Sequence, residues 1–120
     1  MASKLAVVGL ASALAIGLCI VRPARAHAQD ASMDFKIYCS RCHGENGKGD
    51  GPDAGTLKTP PRNFTDCATM SKISDATMFK AIKDGGAAVN LPNDMPSWSA
   101  GLDDDEIHGL MAYIRKFCKQ

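Results

Sequence analysis

The clearest alternation of apolar and polar positions lies near the C-terminal end. Ile107, Leu110, Met111, Ile114, Phe117 and Cys118 recur three and four residues apart, which puts them on one face of a helix. Asp103 and Glu106 fit an acidic capping box, and Asp104 and Asp105 suit the positive end of the helix dipole. Arg115, Lys116 and Lys119 load the opposite end, so the pattern predicts a helix from 103 to 117 or 118. A second stripe, Met78, Phe79 and Ile82, predicts a helix over 74–84, capped by Ser74 and stopped by Gly85-Gly86. A third helix is predicted over 31–42, with Ser32 or Asp30 as N-cap and with Phe35 and Cys39 on one face. Between these helices run two irregular stretches, 44–61, rich in Gly, Asp and Pro, and 85–101. Loops that long in so short a chain call for a functional reason.

The N-terminal quarter reads differently. Lys4 precedes seventeen residues without charge, Leu5 to Val21, followed by Arg22-Pro23 and the triplets Ala24-Arg25-Ala26 and Ala26-His27-Ala28. A basic start, an apolar run and an A-x-A site describe a secretory signal peptide over 1–26, with cleavage at 28 fitting equally well. The domain is then 27–120. The length of the run leaves an uncleaved anchor as the alternative. Cys19 follows the bulky Leu18, where a lipoprotein signal would have a small residue, and is read as part of the apolar run. Removing 1–26 takes away Lys4, Arg22 and Arg25, leaving eleven Lys and Arg against thirteen Asp and Glu, a net of −2. That balance gives no reason to expect a nucleic-acid partner.

Chemistry enters at Cys39-Ser40-Arg41-Cys42-His43. Two cysteines three positions apart with a histidine directly after them are the attachment pattern of a c-type haem. On one helical turn both thiols face the same way, so each can form a thioether with one vinyl group of a single porphyrin. His43 then lies under the iron as proximal ligand. A thioredoxin-like dithiol would need alternating strands and helices around it, and a zinc site would need a second Cys/His pair; the sequence offers neither. The glycines from Gly47 to Gly51 are not a phosphate loop, since no strand precedes them and no Lys-Ser/Thr closes them. A domain this small is marginal for an independent core, which a covalently held porphyrin would complete.

With these pieces in hand, residues 31 to 120 resemble a small monohaem class I cytochrome c. The matching residues are Phe35 before Cys39-x-x-Cys42-His43-Gly44, the run Gly47-Lys48-Gly49-Asp50-Gly51, and Pro60-Pro61. Met95-Pro96-Ser97-Trp98 and a last helix carrying Leu110 and Tyr113 follow in the family's order. The resemblance implies an all-α, class I cytochrome c fold, with three to five helices wrapped around one covalently attached haem c. It implies that Phe35 packs near Leu110 and Tyr113, and that the carbonyl of Pro60 or Pro61 accepts a hydrogen bond from the second nitrogen of His43. It also makes Arg62 a candidate for pairing a propionate and Trp98 for covering a haem edge. Met95 is the expected distal iron ligand, a soft thioether on a loop held at both ends by helices and stiffened by Pro96. Met70, Met78, Met111 and His108 are its rivals, all on or near predicted helices.

Iron held by imidazole and thioether has no free position, which suits one-electron exchange and not catalysis. The expected function is a periplasmic electron carrier, not an enzyme, working between respiratory redox proteins that dock transiently. No nucleic acid or small-molecule substrate is expected, and membrane contact would come only through partner complexes or an uncleaved anchor. The alternatives are an open-site haem enzyme or sensor for peroxide or a gas, and a subunit of a larger membrane respiratory complex. In an exported chain Cys67 and Cys118 are the two thiols left over, and a disulfide between them is expected.

Overall fold

The structure is a computed structural model that describes residues 30–119. The apolar run, both cleavage sites and Cys19 lie outside the described residues. Among the described residues the regular structure is helical throughout, with no strand. No helix among them is long and apolar enough to cross a membrane.

Helix α1 covers 30–43 and contains a π-helical turn, Phe35–Cys39, before its last turn, Ser40–His43. The wider turn is closed by Ser40 N–H donating to the carbonyl of Phe35, five residues back. Single π turns inside α-helices collect at functional sites; this one ends on the first cysteine of the motif.

Four orphan carbonyls at the end of α1 need partners, and the glycine-rich loop supplies them. Gly44 N–H donates to Ser40 O (2.9 Å), Gly49 N–H to His43 O (2.7 Å), Gly51 N–H to Cys42 O (3.1 Å) and Asp53 N–H to Arg41 O (2.9 Å). Gly44, with φ +78°, makes the turn out of the helix. A Cβ on Gly51 would collide with the carbonyls of Ser40 and Arg41. Arg41 pairs bidentately with Asp53, Nε to Oδ2 at 2.7 Å and Nη2 to Oδ1 at 2.9 Å. The loop is therefore bound to the helix that carries the cysteines along most of its length.

A short helix α2, Cys67–Met70, stands where no periodicity predicts one; Asp66 caps it by accepting from Thr69 N–H. Helix α3, Asp75–Asp84, begins as expected at Ser74, whose Oγ accepts from Thr77 N–H at 3.1 Å. Helix α4, Asp104–Lys116, opens on the full capping box. Asp103 N–H donates to Glu106 Oε2 (2.8 Å) and Glu106 N–H to Asp103 Oδ1 (2.9 Å). Phe117 lies beyond α4, in a tighter 3-10 turn, Phe117–Lys119.

Ile107 and Leu110 of α4 are fully buried, joined by Met111, Ile114, Phe117, Met70, Met78 and Ile82 in one core. Phe35 sits at its centre, with its ring centroid 5.4 Å from Tyr113 and 5.1 Å from Phe117. Arg115 closes the α4–α2 junction. Its guanidinium donates to the carbonyls of Met70 (2.7 Å) and Ile73 (2.6 Å) and to the Asp75 carboxylate (2.7 Å).

Candidate functional site

A cavity of about 480 Å³ opens beside this core. Cys39, Cys42 and His43 reach it from α1, Met70 from α2, Met78 and Ile82 from α3, and Met95 from the 85–101 loop. Its lining is mainly apolar, and its size lies in the range of roughly 300–1,000 Å³ in which cofactors are usually held.

Burial pushes the Cys39 thiol up to about 12, with Asp34 adding to the effect, and burial also raises Cys42. A redox dithiol works through a thiolate stabilised by its surroundings; these cysteines sit in surroundings that keep them neutral. Among the described residues no group of three His, Cys, Asp or Glu is placed to hold a bare metal ion.

Nδ1 of His43 lies 3.0 Å from the carbonyl oxygen of Arg62. A carbonyl only accepts, so Nδ1 carries the proton and Nε2 keeps its lone pair. Burial lowers the pKa of His43, while the Arg62 hydrogen bond works in the opposite direction. The ring is thus held neutral, the form in which imidazole binds a metal. This corrects the expectation for the prolines: the acceptor is neither Pro60 nor Pro61 but the next residue. The reason is packing. Gly49, at φ +78°, lies so close to Pro61 that a Cβ there would stand 2.5 Å from the Pro61 carbonyl oxygen. The backbone at Pro61 is thus pressed against the loop at Gly49, and it is the following carbonyl, that of Arg62, that meets His43. Pro60 and Pro61 still line the cavity, as does Arg62, whose backbone makes the contact.

The loop bearing Met95 is anchored to the end of α3. Trp98 N–H donates to Ile82 O (3.1 Å), Ser99 N–H to Lys83 O (3.3 Å) and Ser97 Oγ to Lys83 O (2.5 Å), while within the loop Gly86 N–H donates to Met95 O (2.9 Å). Gly85, at φ +90°, and Gly86 allow the approach: a Cβ on Gly86 would stand 2.7 Å from Pro92 O and 3.3 Å from Met95 Cβ. Of the rivals to Met95, Met111 and His108 do not line the cavity, and His108 Nδ1 is occupied by Asp104 O at 2.6 Å. Met70 and Met78 do line it, from helices inside the core. Trp98 is half-buried on the wall against Tyr38, ring centroids 5.3 Å apart. Cys67 and Cys118 are joined as a disulfide, Cα–Cα 5.1 Å, which ties α2 to the C-terminal turn.

Of the lining residues that the sequence pattern does not forecast, three bear on the site. Tyr38 precedes the first cysteine, Phe64 stacks on His43 with centroids 4.4 Å apart, and Asp94 holds a buried Oδ2 without a hydrogen-bond partner. Only Tyr38 carried a signal, its place one residue before the motif.

The donor set fits a c-type haem: two thiols and a histidine on one turn of helix, a neutral imidazole with Nε2 available, a thioether on the same apolar cavity. Comparison with known proteins agrees. The family described as cytochrome c oxidase, cbb3-type, subunit III matches residues 26–114. The cbb3-type cytochrome c oxidase subunit FixP of Bradyrhizobium sp. (strain ORS 278) is 33% identical over 88 residues, 71% of this chain and 27% of the relative. The FixP subunit of Azorhizobium caulinodans is 30% identical over 87 residues, 72% of this chain and 26% of the relative. The chain therefore spans about a quarter of the length of the curated relatives it matches. Among solved structures, the KustC0563 c-type cytochrome superposes with a TM-score of 0.59 at 27% identity, covering 73% of this chain and 96% of that one. The Kuenenia stuttgartiensis reducing HAO-like protein complex Kustc0457/Kustc0458 superposes with a TM-score of 0.62 at 25% identity, covering 81% and 46%.

Proposed function

This chain belongs to the c-type cytochrome family described as cytochrome c oxidase, cbb3-type, subunit III, with haem c as its covalent cofactor and an all-α cytochrome c fold, and we propose that it carries single electrons between redox proteins. The observation that carries the proposal is the meeting of Cys39, Cys42, His43 and Met95 on one apolar cavity. When bound, the haem supplies an iron that exchanges one electron between its ferrous and ferric forms.

Each residue then has a task. Cys39 and Cys42 fix the porphyrin to α1 through thioethers. His43 offers Nε2 as proximal ligand, and its Nδ1–H to the Arg62 carbonyl sets the tautomer and strengthens its donation. Met95 offers the distal thioether, a soft donor that favours the reduced state. Its loop is pinned to α3 by three hydrogen bonds, so the sulfur is held without a helix of its own. Trp98 with Tyr38 covers one side of the site. With His43 and Met95 both given over to holding the haem, the site would leave no place for a substrate, so the reading is a carrier and not an enzyme.

The partners are redox proteins that bind transiently, as electron transfer at small interfaces requires. We further infer a periplasmic location, with 1–26 as signal and 27–120 as the cytochrome domain, and a Cys67–Cys118 disulfide formed in that compartment. A second reading is favoured by the relatives, which are named as oxidase subunits: the chain would then work as part of a membrane respiratory complex. Redox titration and cell fractionation test both. A reversible one-electron transition, with reduced protein that ignores carbon monoxide and is found in the soluble periplasmic fraction, is the expected result. Carbon monoxide binding by the wild type would overturn the carrier, and retention in the membrane fraction would favour the subunit.

A further inference from the structure

Phe64 lies face to face with the imidazole of His43, with ring centroids 4.4 Å apart and planes inclined by only 15°. It also lies near-parallel to Phe117, at 6.4 Å and 22°. Phe35 meets Phe64 edge-on at 6.2 Å. Phe64 is therefore backed by other rings and has little freedom to tilt.

The chain around it is held as firmly. Phe64 N–H donates to Gly47 O at 2.7 Å. Gly47, at φ +68°, packs so tightly on Phe117 that a Cβ there would stand 2.9 Å from its ring. Cys67, three residues after Phe64, is joined to Cys118, the residue after Phe117. The two segments that carry the parallel rings are thus tied to each other covalently, through Gly47, and through the stack itself.

His43 by contrast has one polar restraint, the 3.0 Å contact with Arg62 O. A hydrogen bond to a carbonyl accepts a broad range of directions, so it fixes the position of Nδ1 better than the tilt of the ring. A flat side chain against the ring face fixes the tilt.

We propose that Phe64 is a positioning residue for His43: its ring sets the plane of the imidazole, with Phe117 and the disulfide as backing. The proposal rests on the reading that His43 Nε2 binds the haem iron. Packing alone would make Phe64 one more core side chain, whose loss lowers stability and leaves the imidazole plane where it was.

Proton NMR of the ferric holoprotein separates the two, because the plane of an axial imidazole governs the order and spread of the four haem-methyl resonances. Phe64→Leu is expected to reorder them while the far-red sulfur-to-iron absorption persists. Phe64→Tyr, which keeps the flat face, and Ile107→Val, a core change away from His43, are expected to keep the wild-type order. Should Phe64→Leu fail to hold haem, Phe64→Met, unbranched and more adaptable in shape but likewise without a flat face, carries the same comparison. A wild-type methyl order in the Leu or Met variant, with the far-red band intact, overturns the positioning role and leaves His43 ligation standing. A wild-type protein whose ferric form is not low-spin overturns both.

Discussion

His43 points Nδ1 at the carbonyl of Arg62, 3.0 Å away, and this contact decides which of its nitrogens faces the cavity. The preceding carbonyl, that of Pro61, lies close against Gly49. A ligand is thus prepared by a glycine six residues beyond it and a turn nineteen residues beyond it.

Gly49→Ala is expected to disturb that arrangement. The residue sits at φ +78° and its new Cβ would meet Pro61 O, so the strain should cost about 1–3 kcal/mol. With the Arg62 carbonyl displaced, His43 donates less strongly to iron and the reduction potential should rise. Urea unfolding and a redox titration on the same protein check both effects; a destabilised variant with an unchanged potential would mean that the Arg62 contact survives.

Arg115→Ala should destabilise the protein by about 2 kcal/mol, since the carbonyls of Met70 and Ile73 lose a charged donor at a part-buried site. Arg115→Lys should recover only part of this, because a single ammonium cannot copy the planar fork. Thermal unfolding of the two variants gives the comparison.

These residues mark the limit of what the sequence discloses. Helices α3 and α4 were legible because each combines an apolar stripe with a cap, as in Asp103–Glu106 and Ser74–Thr77, whereas α1 was legible only from the spacing of Phe35 and Cys39: Asp30 and Ser32, expected as its N-cap, both lie within the helix. Helix α2 was not, because four residues, Cys67–Met70, are too few to display a period. Cys39, Cys42 and His43 were legible as a motif, and Met95 as a thioether on a long loop; all four do reach one cavity. The choice between Pro60, Pro61 and Arg62 was hidden, since the direction of a carbonyl depends on backbone angles and not on the side chain attached. Arg115 reads in sequence as a charge at the end of a helix dipole. In the structure it folds back on two carbonyls more than forty residues away along the chain.

The disulfide has a simple assay. The holoprotein, alkylated without reduction, should show no alkyl adduct at Cys67 or Cys118 in its intact mass. Closing a loop across a sequence separation of 51 should stabilise by ~2–4 kcal/mol, the amount that Cys67→Ser should remove. Two adducts on the unreduced protein would contradict the pairing.

Acid stability should depend on Asp66. The Thr69 hydroxyl, 2.6 Å from its Oδ2, and then the Thr69 N–H hold its carboxyl below the usual 3.8. The folded state therefore favours the ionised form. Its contribution is present above 3.8 and is lost as pH falls through the lower folded value. Asp66→Asn should flatten that part of the decline, read as urea midpoints measured from neutral pH down past 3.8.

The ferric absorption spectrum of wild type beside Met95→Ala tests the central claim most directly. The wild type should show the weak far-red band of a sulfur–iron bond. Met95→Ala should lose it, bind carbon monoxide when reduced, and shift to a lower potential, while Met70→Ala and Met78→Ala keep the band and lose only stability. A band that survives Met95→Ala, or a wild type that is high-spin from the start, would contradict the His43/Met95 carrier.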